Sequence, residues 1–153
     1  MRSMVRFSEA ANLAIHSLVW MVRESAREEG RAFSAAEIGA SLGVSPSHLA
    51  KVLQGLVRRG WLTSVRGTKG GFRLEMDPER TSFLELLEVV DGPMAEVGGC
   101  LLGNPICRPG ECRLAPLHAQ VRALVEAELG KITFSGFVRD LEATHGRDLD
   151  GSR

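Results

Sequence analysis

The hydrophobic positions of the chain fall into stretches with two different periods. From Ser8 to about Glu29, Ala11, Ile15, Leu18, Val19 and Val22 recur at spacings of three and four, which predicts one long helix stopped by Gly30. Ser34-Ala35-Ala36-Glu37 has the capping-box order and opens a second helix that runs to Leu42 and ends at Gly43. Ser45-Pro46 starts a third, with Ser at the cap and Pro at the first helical position. Leu49, Val52, Leu53, Leu56 and Val57 give that helix its apolar face, and Gly60 closes it. The period then changes. Trp61 to Arg66 is a β-type run, Gly67-Thr68-Lys69-Gly70-Gly71 a turn, and Phe72-Arg73-Leu74 the returning strand. A second capping box, Ser82-Phe83-Leu84-Glu85, begins a fourth helix reaching about Val90. Residues 91–113 read as a loop rich in Gly and Pro. Helical spacing returns over Ala115–Leu129 and, in a last short helix, over Thr133–Glu142.

Helix, helix, tight turn, helix, β-hairpin is the order of a winged helix-turn-helix, and Gly43-Val44-Ser45 is the short Gly-containing turn it requires. The expected fold is mainly α with one small β-hairpin. The expected organisation is a winged helix-turn-helix over 1–80, a cysteine loop and dimerisation helices over 81–143, and a flexible tail over 144–153.

Composition sets limits on this picture. The 153 residues carry 19 basic and 19 acidic side chains, and the hydrophobic fraction of 44% is ordinary for a soluble globular chain with a real core. No apolar run approaches the roughly 18–20 residues of a membrane span, and residues 1–10 lack a signal-peptide core. The expectation is therefore a cytoplasmic protein with no membrane partner. Tyr is absent, which argues against an aromatic platform for single strands. The zero net charge conceals an asymmetry. Residues 1–80 hold 12 basic and 8 acidic groups, whereas residues 81–153 hold 7 and 11. Lys51, Arg58, Arg59, Arg66, Lys69 and Arg73 lie in a stretch with no acid at all, a candidate phosphate-binding surface.

A recognition helix enters the major groove N-terminus first, which brings first-turn side chains to base edges. Those are Ser47, His48 and Lys51, with Ser45 at the cap. Hydroxyl and imidazole groups read donors and acceptors, and Lys51 reaches guanine or phosphate. At the hairpin tip, Arg66, Thr68, Lys69 and Gly70 combine charge with a backbone free to approach a minor groove or phosphates. This Gly-rich turn joins two strands and precedes no helix, so it is no P-loop. No Ser/His/Asp arrangement, carboxylate pair or cofactor loop points to an enzyme.

Cys100, Cys107 and Cys112 sit in the Gly/Pro-rich loop, with six and four residues between them. An odd count argues against a disulfide framework, and the spacing lacks the paired knuckles of structural zinc sites. Three thiols so close suit a single metal centre, an iron–sulfur cluster among them. On spacing alone, metal binding and ordinary thiols both stand open.

Three stretches together resemble the Rrf-two (Rrf2) family of bacterial transcription regulators. They are Val44-Ser45-Pro46-Ser47-His48-Leu49, Ser64-Val65-Arg66-Gly67-Thr68-Lys69-Gly70-Gly71-Phe72, and Cys100…Cys107…Cys112-Arg113-Leu114. The resemblance covers roughly residues 4–143. It implies a homodimer paired through the long helix after the cysteine loop, reading a palindromic site in double-stranded DNA, with Arg66 aimed at a minor groove. It also implies that the three cysteines ligate an iron–sulfur cluster, as in members of the IscR and NsrR types. The fourth ligand departs from the family pattern. Ala115 stands where IscR-type members have His, and Asn12 where others have an acid on the first helix. His16, one turn on, matches a His used by a minority of members and is the candidate fourth ligand; His118, Glu111 and Glu9 are weaker ones. The cluster type, 2Fe–2S or 4Fe–4S, stays undecided.

The expected function is thus a homodimeric, sequence-specific DNA-binding transcription regulator, a repressor, whose cluster senses redox state, nitric oxide or iron. Two alternatives belong beside it: a cluster-free regulator sensing thiol oxidation, a small ligand or zinc, and a non-catalytic protein-interaction module on a winged-helix fold.

Overall fold

The computed structural model describes residues 7–28, 30–67, 70–93 and 112–148, with backbone alone at 145–148. In chain order the elements are α1 (Glu9–Ser25), α2 (Ala35–Leu42), α3 (Pro46–Arg58), β1 (Leu62–Val65), β2 (Gly71–Leu74), α4 (Phe83–Asp91), α5 (Ala115–Leu129) and α6 (Phe134–Asp148). This is the expected mainly α chain with one antiparallel hairpin.

α1 is the central helix, in contact with α2, α3, α4 and α6. Its Ala11, Ala14, Leu18 and Met21 are fully buried. Of the expected stripe Ala11, Leu18 and Val22 are buried, while Ile15 and Val19 are half-buried and Ala14 and Met21 take their place in the core. Ser8 caps it, accepting from the Ala11 amide at 3.0 Å. The helix is shorter than the reach to Glu29, because its regular bonding gives way to turns after Ser25. Ser17 is buried on the same face, and its hydroxyl donates to the Leu13 carbonyl at 2.6 Å, so its burial leaves no polar group unmet.

The two capping boxes differ. At α4 the box is complete: the Glu85 amide donates to the Ser82 hydroxyl and the Glu85 carboxylate accepts from the Ser82 amide. At α2 the Ser34 hydroxyl accepts from the Glu37 amide at 3.1 Å, but the Glu37 carboxylate turns away to pair with Arg31. Arg31 also lies over the Phe33 ring, 5.0 Å from its centroid. A nearby guanidinium therefore outcompetes the backbone amide for that carboxylate.

The hairpin pairs Leu62 with Leu74 and Val65 with Gly71. A short bridge adds Phe33 alongside β2, with Phe33 and Phe72 exchanging backbone bonds of 2.9 and 2.8 Å. At Gly71 any Cβ would collide with the Phe33 carbonyl, so the residue beside the wing must be glycine. The bridge fixes the wing against the entry to α2. On the far side, Arg139 of α6 donates to Glu79 at 2.6 Å and holds the carboxyl below its ordinary value. This exposed tie is present above the usual carboxylate range and is lost as pH falls through the lowered value.

α6 runs to Asp148, past the expected end at Glu142 and into the stretch expected to be flexible tail. Phe134 and Val138 anchor its first turns in the core, with the Phe134 ring 4.7 Å from that of Phe83. Residues 149–153 lie outside the described residues.

The helix-turn-helix depends on a close approach that the sequence pattern does not mark. Gly39 is buried in α2, and a Cβ there would stand 2.9 Å from the Val44 carbonyl. The Val44 amide meanwhile donates to the Gly39 carbonyl at 2.9 Å. Replacing Gly39 by Val forces the turn off α2, with an expected loss of about 1–3 kcal/mol from overpacking. Thermal or urea unfolding checks this; an unchanged midpoint would show that the turn tolerates the displacement.

Candidate nucleic-acid interface

Three leucines of α3 set the direction of every other side chain on it. Leu49, Leu53 and Leu56 are essentially fully buried against the α1–α2 scaffold. The opposite face then presents Ser47, His48, Lys51, Gln54 and Arg58 to solvent, all exposed. Gly43 makes the turn into α3 with φ of 67°, a left-handed conformation that glycine adopts without steric cost.

Ser45 occupies the N-cap position but makes no capping bond. Its hydroxyl lies 3.0 Å from that of Ser47 instead, so both hydroxyls stay exposed at the helix start, with the first-turn amides, where the positive end of the helix dipole attracts anions. His48 Nε2 lies 3.8 Å from Glu9 Oε1 across the gap to α1. That separation admits an electrostatic contact once the imidazole is protonated, and it aims the ring along the α1 side of the exposed face.

The cations of this face are unpaired among the described residues, as are the exposed Arg80 and Arg113 elsewhere on the described surface. Lys51, Arg58, Arg59 and Arg66 have no ion-pair partner among the described residues, whereas Arg23, Arg27, Arg31, Arg73, Lys131 and Arg139 are each paired to a carboxylate. The sequence grouped Arg58 and Arg59 with Lys51 by charge alone, without placing them beside Ser47. The helical period supplies that signal, since Ser47, Lys51 and Arg58 share one side of α3.

Of the wing, Arg66 is exposed beyond β1, and Gly70 is half-buried, its amide donating to the Gly67 carbonyl at 2.9 Å. A Cβ at Gly70 would press on the Val65 and Gly67 carbonyls, so the tip closes tightly only with glycine there. Thr68 and Lys69 lie outside the described residues.

The cysteine site is described only at one end. Cys112 is half-buried just before α5, while Cys100, Cys107 and Glu111 lie outside the described residues. His16 is exposed on α1 beside the exposed Asn12, with no hydrogen bond or ion pair among the described residues. His118 is half-buried in the first turns of α5, and Glu9 is the neighbour of His48. Among the described residues no three His, Cys, Asp or Glu side chains gather as a metal site.

α5 is the other unusual surface. It has no buried residue, and Leu114, Leu117 and Leu124 are 38%, 47% and 63% exposed. A groove of about 270 Å³ runs along it between Phe7, Leu124, Val125 and Leu129. Among the described residues no helix is long and apolar enough to cross a membrane.

Comparison with known proteins agrees with this geometry. Over 73 residues the chain is 37% identical to the HTH-type transcriptional regulator BadM of Rhodopseudomonas palustris, which covers 48% of this chain and 47% of that protein. The chain spans about half the length of the curated relatives it matches. Among solved structures it is similar to CymR, the global cysteine regulator of B. subtilis, with a TM-score of 0.70, 19% identity, and 88% and 97% of the two chains covered. It is equally similar to T. potens IscR, with a TM-score of 0.71, 18% identity, and 92% and 90% covered. At those identities the likeness establishes the winged-helix fold. Residues 7–140 match the Rrf2 model, described as an iron-dependent transcriptional regulator, and the chain belongs to the Rrf2 family of transcriptional regulators.

Proposed function

We propose that this protein is a homodimeric, sequence-specific DNA-binding repressor of the cytoplasm that carries an iron–sulfur cluster as its sensor. The observation that carries the DNA-binding reading is the set of cations on α3 and the wing, Lys51, Arg58, Arg59 and Arg66, left without counter-charges beside exposed Ser45, Ser47 and His48. A surface whose charges are unmatched among the described residues gains from a polyanion, and α3 has the shape to enter a major groove. Ser47, His48 and Lys51 read bases; Arg66, Thr68, Lys69 and Gly70 engage a minor groove or backbone.

The exposed leucines of α5 support pairing with a second copy, since an apolar stripe on a helix with no buried residue is otherwise left in water. A two-fold dimer presents two copies of α3 and so fits a palindromic operator. Cys100, Cys107 and Cys112 hold the cluster, with His16 as fourth ligand. The donor set fits: three soft thiolates suit iron–sulfur ligation, and Cys112 stands half-exposed at the foot of α5. Such a cluster supplies chemistry responsive to redox state, nitric oxide and iron supply. Any differential binding of DNA between its states falls in the range of about 1–3 kcal/mol common for such couplings.

Selection from a random DNA pool tests the reading, with an enriched palindrome as the expected outcome and no enrichment as the contrary one. On the enriched duplex, Ser47→Ala, His48→Ala and Lys51→Ala should each cost about 1–3 kcal/mol where a base contact is lost. Unchanged affinity in all three, with the fold intact, would remove α3 from the reading role.

Lys69→Ala should weaken binding to all sequences alike and flatten the salt dependence by roughly one phosphate contact. Arg66→Ala should reduce discrimination as well. Titrations at several salt concentrations distinguish the two, and an unaltered slope excludes Lys69 from the backbone contacts.

Leu124→Glu places a charge in the apolar stripe of α5 and should shift the protein from dimer to monomer in sedimentation. A variant that stays dimeric would place the pairing surface elsewhere.

Anaerobic purification should give a coloured protein, and Cys100→Ala, Cys107→Ala or Cys112→Ala should lose most of its iron and sulfide. His16→Ala should preserve folding while altering the spectrum or the lifetime of the colour. Colourless protein with stoichiometric zinc, or full iron in all three cysteine variants, would overturn the cluster assignment.

A further inference from the structure

A cleft of about 240 Å³ lies between the start of α1, the inner edge of α3 and the end of α4, lined by Ala10, Lys51, Val52, Gly55, Leu56, Arg59 and Val90. Its floor is apolar, from Ala10, Val52, Leu56 and Val90. Its rim carries Lys51 and Arg59, two exposed cations with no ion-pair partner among the described residues. The cleft exceeds the roughly 150 Å³ that suffices to hold a benzene in an apolar cavity. Gly55 lines it, and a Cβ there would meet only the far ends of Arg58 and Arg59, at 3.8 and 4.0 Å. Two carboxylates stand at the α1 end, outside the lining. Asp91, at the end of α4, accepts from the Ser8 amide at 3.1 Å and from the Ser8 hydroxyl, and Glu9 faces His48. The charged residues that line the cleft itself, Lys51 and Arg59, are both cations.

We propose that this cleft is a binding site for a small amphipathic organic anion, an acid group with a short apolar body. Its acid group meets Lys51 and Arg59, and its apolar part lies on Val52, Leu56 and Val90. Neither an apolar molecule alone nor a bare inorganic anion uses both features, and the pairing of features selects the class. The site adjoins the reading face, because Lys51 belongs to both. An occupant draws on Lys51 and lowers affinity for DNA, which makes the cleft an effector site; this consequence alone rests on the DNA-binding function proposed above.

The test uses the full chain without DNA and the probes hexanoate, hexanol and inorganic phosphate, followed by amide NMR. Hexanoate should give saturable shifts at Ala10, Val52, Gly55 and Val90. Lys51→Gln with Arg59→Gln should weaken it about tenfold or more, as expected on losing charge-assisted contacts. Gly55→Leu, where a Cβ meets only flexible arginine ends, should fill the cleft and abolish the shifts while the remaining amide spectrum stays that of the folded parent. Hexanol at equal concentration should bind at least about tenfold more weakly. Absence of saturable shifts with hexanoate overturns the site. So does equal binding of phosphate with the same residues perturbed, which would mark a subsite for DNA backbone only. Because these readouts need no DNA, they stand apart from any failure of the DNA-binding reading; with DNA present, hexanoate should lower operator affinity in the parent chain and leave it unchanged in Gly55→Leu.

Discussion

The burial of Leu49, Leu53 and Leu56 is the constraint on which the rest of the structure depends. Each fully buried leucine contributes on the order of 1.5–3 kcal/mol, and together they fix the rotation of α3 about its own axis. Once that rotation is set, Ser47, His48, Lys51 and Arg58 have no direction but outward. The scaffold below serves the same end. Phe33 is fully buried, stacks edge-on to Trp20 at 5.2 Å and bridges to Phe72, so one aromatic ties α1, the entry to α2 and the wing into a single unit. Charge has little part in this. The ion pairs among the described residues lie on partly or fully exposed side chains, where each is worth little, and Lys51, Arg58, Arg59 and Arg66 take no part in them.

The sequence made the order of elements plain because each boundary carries its own chemistry. Ser34 and Ser82 accept the amides that their capping motifs promise, and Gly43 adopts the left-handed turn. Boundaries set by tertiary contact were harder to place. α1 gives way to turns before Glu29, and α6 continues beyond Glu142. The role of Gly39 was not legible either: a glycine within a helix pattern reads as a weak point until the Val44 carbonyl is seen against it. The same holds for the missing cap bond at Ser45, whose hydroxyl finds Ser47 instead.

The candidate interface divides along similar lines. Ser45, Ser47, His48, Lys51 and Arg66 follow from motif order alone and stand exposed as anticipated. What the linear sequence could not supply was their neighbourhood: Glu9 beside His48, Asp91 fastened to Ser8, and the cleft beneath Lys51. These arise from residues tens of positions apart brought together by α1. Asp91 ends α4 and leads towards the cysteine-bearing stretch, while its carboxylate grips the cap of α1. The end of α4 and the start of α3 thus both meet the first turn of α1, through Asp91–Ser8 and His48–Glu9. An apolar α5 surface completes the logic, because symmetric pairing through it would set the separation of two reading helices.

The central claim is that the outward face of α3, oriented by its buried leucines, meets DNA. Amide chemical-shift mapping of the protein on its selected duplex tests it most directly. The account predicts the largest perturbations at Ser45 to Lys51 and at the hairpin tip around Arg66 and Gly70, with α6 little changed. Perturbations centred on α5 or α6, with the start of α3 unmoved, would contradict it.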